Sequence, residues 1–94
     1  MSVVAVMRAP VNNFDEWKSS FDADPAIREK HGMSEVFVAR DVAEENVAMI
    51  VATFESADAV GEMLADPIVQ ARMAEGGVTG PPTIWIGNIE ADGR

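Results

Sequence analysis

NVAMIVATF, residues 46–54, decides the fold. It has the length and the β-branched content of a strand, but it lacks a polar face. Val47, Met49 and Val51 point one way, while Ala48, Ile50, Ala52 and Phe54 point the other. An antiparallel strand in a small protein usually keeps one face wet. A strand that is apolar on both sides needs two covers.

The flanking chain supplies the first cover. SVVAVMRA, residues 2–9, is apolar and β-branched and reads as an opening strand closed by Pro10. Asn13 is a good N-cap, and Glu16 three residues on completes a capping-box pattern. Phe14, Trp17 and Phe21 then recur at helical spacing. Asp24-Pro25 restarts the helix, with Asp as cap and Pro in the first turn, and Gly32 suits the left-handed position past its end. MSEVFVARD, residues 33–41, is a second strand, and VAEEN is a polar turn into the quoted third. Ser56 caps a second helix with Val60, Met63 and Leu64 on its buried side. Asp66-Pro67 restarts that helix, and Ile68, Val69, Arg72 and Met73 follow before Gly76-Gly77 stop it. GGVTGPP, residues 76–82, is a loop, and TIWIGNIE, residues 83–90, is a fourth strand. Strand, helix, strand, strand, helix, strand is a loose repeat of two βαβ halves. Short connections and right-handed crossovers favour the ferredoxin-like α+β solution: a four-stranded antiparallel sheet with the helices on one face.

The other face of that sheet is as apolar as the first. Val4 and Val6 oppose Val3, Ala5 and Met7; Val36 and Val38 oppose Phe37 and Ala39; Ile84 and Ile86 oppose Trp85 and Ile89. Soluble monomers rarely expose an apolar face of several hundred Å². The simplest second cover is another copy, packed sheet to sheet about a two-fold axis.

The totals agree. Ninety-four residues make one domain, 1–94, and a chain of this size buries roughly 60–70% of its unfolded surface. Hydrophobic residues are nonetheless 48% of it, more than one small globule hides. The net charge of −9 opposes nucleic acid and anionic membrane as partners, since both ask for a basic footprint. With no cysteine there is no disulfide, no thiolate nucleophile and no Cys-ligated metal or iron–sulfur centre. No apolar run approaches the ~18 residues that span a bilayer, and no secretory pattern opens the chain, so the expected location is the cytoplasm.

Over residues 2–90 the chain resembles the dimeric α+β barrel superfamily. The resemblance rests on the strand order, on FDEWKSSFD (14–22) after the first strand, on HGM (31–33) leading into the second, and on the Asp66-Pro67 turn ahead of GGVTGPP. The last two features are similar to those of uncharacterised bacterial members. The superfamily includes antibiotic-biosynthesis monooxygenases, small polyketide cyclases, muconolactone isomerases, haem-degrading enzymes and stress-responsive plant proteins. The resemblance implies a two-subunit barrel with a small apolar ligand between sheet and helices in each subunit. It does not choose among chemistries. Cyclase and haem-degrading relatives place histidines on strands or on the second helix, where this chain has none, so none of their catalytic residues is carried over.

Three polar residues are the catalytic candidates. His31 is the single histidine; one imidazole makes no multi-histidine metal site, but it can act as a general base. Beside Gly32 at a helix end it equally suits a structural cap. Arg8, like Arg40, falls near a strand end, where it can bind a carboxylate or enolate, or pair with Asp41, Glu44 or Glu45. Asn88 interrupts an apolar strand and can polarise a carbonyl if it faces inward. Trp17, Phe21, Phe54, Met63 and Trp85 are the candidates for a ligand pocket, with plain core as the competing reading. GGVTGPP lacks the P-loop lysine, so it is a rigid lead-in to the last strand or a gate rather than a phosphate cradle. No metal and no cofactor is expected.

Two function classes stand. One is a homodimer that binds a small apolar or aromatic metabolite and transforms it without cofactor, in monooxygenase- or cyclase-like fashion. The other is a non-catalytic dimeric module for ligand binding, stress response or an accessory role. A buried, positioned polar group in the pocket would favour the first.

Overall fold

The computed structural model describes residues 2–91. The elements run β1 (Val3–Pro10), α1 (Phe14–Asp22), α2 (Pro25–Lys30), β2 (Ser34–Arg40), β3 (Val47–Phe54), α3 (Ala57–Ala65), α4 (Pro67–Glu75) and β4 (Thr83–Asn88). The four strands form one antiparallel sheet in the order β2-β3-β1-β4, the ferredoxin-like arrangement.

Each expected helical segment is two short helices joined at an Asp-Pro step. Asn13 accepts the Glu16 N–H, Ser56 the Ala59 N–H and Asp66 the Ile68 N–H, so three of the four starts are capped by side chains. Asp24 departs from the expected cap: it occupies the N-cap position without a side-chain cap bond. Its carboxylate is turned instead to Arg72 Nε, 2.9 Å away. Gly32 and Gly77 take positive φ, 70° and 88°, where a side chain would be strained.

Register fixes the two faces. Val3, Ala5 and Met7 on β1 stand beside Phe54, Ala52 and Ile50 on β3, under the helices. Val60 and Met63 of α3 close over them, and Phe54 and Val60 are sealed completely, each worth about 1.5–3 kcal/mol of burial. The opposite face carries a continuous row: Phe37 on β2 pairs with Val51, Val51 with Val6, and Val6 with Trp85 on β4. A register shift between Ser34 and Phe37 inserts one extra residue in β2 and keeps both on this face. Among the described residues nothing covers the row's ends: Phe37 is 70% and Trp85 55% exposed.

Candidate functional site

The helix layer does not fill the space above the sheet. Ala9 and Ala48 face each other across β1 and β3, and two small side chains at that point leave the floor low. The broken helices arch over it and bound a half-open cavity of about 460 Å³. Met7, Ala48 and Ile50 belong to the floor, Met63 and Val69 to one wall, and Trp17 and Phe21 to another. Trp17 stacks on Phe21 with ring centroids 5.3 Å apart and touches Phe14 at 5.7 Å, so the aromatic wall is braced from behind. Val78 and Pro82 bring the GGVTGPP loop into the lining. That loop is tied down by Asn12 N–H to Gly77 O (2.8 Å) and Thr79 N–H to Pro10 O (3.0 Å).

Polar groups gather where α1, α2 and α4 meet. Ser20, Asp24, Arg28, Arg72 and Glu75 all reach the lining. Arg72 holds Asp24 at 2.9 Å and Glu75 at 3.1 Å. Arg28 lies 4.3 Å above the Phe21 ring and donates from Nη1 to the Phe21 carbonyl at 2.6 Å and, more weakly, to the Asp24 carbonyl at 3.5 Å. The site is an apolar chamber with an aromatic wall and a charged mouth, a form suited to a small, flat, largely apolar ligand.

Of the residues singled out from sequence, Trp17, Phe21 and Met63 line this chamber. Phe54 lies outside the lining, 1% exposed in the core beneath α3, and Trp85 stands on the opposite face of the sheet. His31 and Asp66 are each 10% exposed and meet at 2.9 Å, tying the end of α2 to the α3–α4 junction outside the chamber. Lys30 reaches the same Asp66 oxygen at 2.9 Å. Lys30, then His31 and the Ile68 N–H, hold the Asp66 carboxyl well below the usual carboxylate range.

Arg8 is on the open face, bonded to Asp41 at 3.2 Å and Glu44 at 2.8 Å, and these partners raise its pKa. Asp41 is correspondingly lowered, chiefly by the Ala43 and Glu44 N–H groups that it caps and then by Arg8. Arg40 pairs with Asp15, 3.0 Å away, rather than with the neighbouring turn, and lies over the Phe14 ring. Asn88 closes β4 opposite Val3 and is exposed. The structure therefore brings together none of His31, Arg8 and Asn88.

Sequence reasoning passed over the charged mouth. One signal was available: Arg72 falls at the i+3 position from Val69 and beside Met73, within the apolar spacing of α4. Arg28 gave no such signal, because the Asp24-Pro25 break resets the helical phase before it. Among the described residues no three His, Asp or Glu side chains are placed to hold a metal, and no helix is long and apolar enough to cross a membrane.

No family model matches the chain, and no curated protein matches it in sequence. Solved structures match it in fold. SnoaB of Streptomyces nogalater, a cofactor-independent oxygenase, superposes with a TM-score of 0.71 at 18% identity, covering 99% of this chain and 98% of its own. Rv0793 of Mycobacterium tuberculosis gives 0.67 at 14% identity, with 100% of both chains covered. A Streptomyces coelicolor monooxygenase, solved with the ligand nanaomycin D, gives 0.64 at 21% identity over 96% of this chain and 88% of that one. The chain thus has the α+β fold of the antibiotic-biosynthesis-monooxygenase-like proteins, along nearly its whole length.

Proposed function

We propose that the protein is a cytoplasmic homodimeric barrel whose chamber, one per subunit, binds a small aromatic or quinone-like metabolite and promotes its oxygenation without a bound cofactor. The chamber between sheet and helices carries this reading: it is large enough for fused rings, apolar at its floor and aromatic on one wall. A cofactor-independent oxygenase of the same fold supports the chemistry. In such a reaction the substrate itself supplies the electrons. An acidic ring methylene loses a proton, the carbanion reduces O₂ and forms a C–O bond, and loss of water leaves a ketone: R₂CH₂ + O₂ gives R₂C=O + H₂O. The protein's part is to exclude water, orient the rings against Trp17 and Phe21, and stabilise the anion.

The dimer rests on the open face. Four strands about 4.8 Å apart, six residues long at about 3.3 Å each, make a face of roughly 400 Å². Its central row is Phe37, Val51, Val6 and Trp85, and a second copy laid on it would bury the row against itself. The absence of cysteine from the sequence suits a reducing cytoplasm.

A non-catalytic binding role is the second reading, favoured by one observation. The two carboxylates in the lining, Asp24 and Glu75, are both engaged by Arg72. Calorimetric titration with a tricyclic ketone that bears an acidic ring methylene, run beside an oxygen electrode, separates the two. Binding with faster oxygen uptake supports the oxygenase. Binding with uptake at the buffer rate supports the binding module. No binding at millimolar probe refutes both.

A further inference from the structure

We infer that the chamber is built for a ligand carrying a negatively charged oxygen, a carboxylate or an ionised enol, and that Arg28 is the residue that reads it. This rests on the chamber being the ligand site. The protein has 16 acidic and 7 basic side chains besides one histidine, so almost every cation has a carboxylate within reach. Arg8, Lys18, Lys30, Arg40 and Arg72 each pair with at least one. Among the described residues Arg28 is the one lysine or arginine that pairs with none, and it is also one of the residues lining the chamber.

Its environment explains how it stays unneutralised. Asp24, at the i−4 position, is the acid best placed along the chain to face it, but the Asp24 carboxylate is drawn to Arg72. Glu75, the other acid of the lining, is also held by Arg72. Arg28 is anchored instead through uncharged groups: Nη1 donates to the Phe21 and Asp24 carbonyls, and the guanidinium carbon lies 4.3 Å over the Phe21 ring. A guanidinium has five N–H donors in a rigid fork. The Nε and Nη2 donors make no bond among the described residues. The side chain is half-buried, fixed in orientation and charged, and it belongs to the lining of an apolar chamber. An anionic oxygen attached to fused rings meets both requirements at once: the rings fill the apolar chamber beside Trp17 and Phe21, and the oxygen receives a charge-assisted bond.

Two matched pairs of probes test this on the full chain by calorimetry: 2-naphthoate against 2-naphthamide, and 2-hydroxy-1,4-naphthoquinone, which is ionised at neutral pH, against its methyl ether. The expected result is about tenfold tighter binding of the charged member of at least one pair at low salt, as one charge-assisted bond provides. That preference should shrink at high salt. Arg28→Gln should level the pair while leaving the neutral probe's affinity within about twofold, and Arg28→Lys should restore part of the preference. The pair that responds identifies the oxygen as carboxylate or enolate. Equal binding of charged and neutral probes in both pairs overturns the inference and leaves the chamber reading intact. A preference that survives Arg28→Gln overturns the assignment to Arg28. If none of the four probes binds, the chamber reading falls and this inference with it. Should Arg28→Gln fail to fold, the wild-type pairs and Arg28→Lys decide the matter.

Discussion

Replacing Ala9 with Phe asks directly whether the chamber is open space. Ala9 stands on the chamber floor, half-buried, facing Ala48 across the strand pair. A phenyl ring needs about 150 Å³, the size of a cavity that takes up benzene. That is about a third of the 460 Å³ present. With space available, the added ring gains burial without displacing neighbours. Full burial of an aromatic side chain is worth about 1.5–3 kcal/mol, so a net gain near 1 kcal/mol is expected after rotamer and strain costs. For a domain of this size that raises Tm by about 4–8 °C. In a core already packed to density, the same ring would cost about 1–3 kcal/mol and lower Tm. The ring also removes ligand space, leaving roughly 300 Å³, the lower end of small-molecule pockets. A naphthalene-sized probe should therefore bind at least about tenfold more weakly. Thermal unfolding by circular dichroism and calorimetric titration read the two effects separately. A Tm that drops by several degrees, with probe affinity unchanged, would refute both the open chamber and its role in binding.

Three further outcomes follow from the packing and the ion pairs. Because the Asp66 carboxyl sits below its ordinary pKa, its contribution to stability is complete above the unfolded value, near 4, and is lost as pH falls through the folded one. Urea unfolding between pH 7 and pH 2 should thus show a shallower acid limb for Asp66→Asn than for wild type; parallel curves would contradict the Lys30–His31–Asp66 clasp. Phe54→Ala removes a ring that is 1% exposed and should cost about 3–5 kcal/mol in denaturant unfolding, whereas a loss below 1 kcal/mol would mean that the core is not where the structure puts it. Val51→Asp sets a carboxylate in the middle of the open-face row, so the proposed dimer should be lost at micromolar concentration while the near-isosteric Val51→Thr still pairs; a dimeric Val51→Asp protein would place the interface elsewhere.

The parts legible in the sequence are those that local periodicity encodes. Residues 46–54 lack a polar face, and the structure gives both faces of β3 apolar neighbours: Phe54 under α3, and Val51 in the row from Phe37 to Trp85. The Asp24-Pro25 and Asp66-Pro67 steps mark the helix breaks because proline lacks an N–H and the preceding residue resists helical geometry. The chamber was legible only in part. Trp17 and Phe21 share a helix face through their spacing, but Phe54 is as aromatic and lies beneath a different helix. The rest depends on side chains that are distant in sequence: Asp24 meets Arg72 across 48 positions at the chamber, and His31 meets Asp66 across 35 outside it. No periodicity carries such pairings. That Arg28 has no carboxylate partner among the described residues follows from where Asp24 and Glu75 turn, which no local pattern encodes.

The central claim is that a second copy of this chain covers the sheet face that the helices leave bare. Light scattering on a sizing column, at about 10 µM, tests it most directly, since an obligate pair stays associated at that concentration. A mass twice the 10.1 kDa of one chain is the result predicted. A mass of a single chain, with the Phe37–Val51–Val6–Trp85 row left in water, would contradict it.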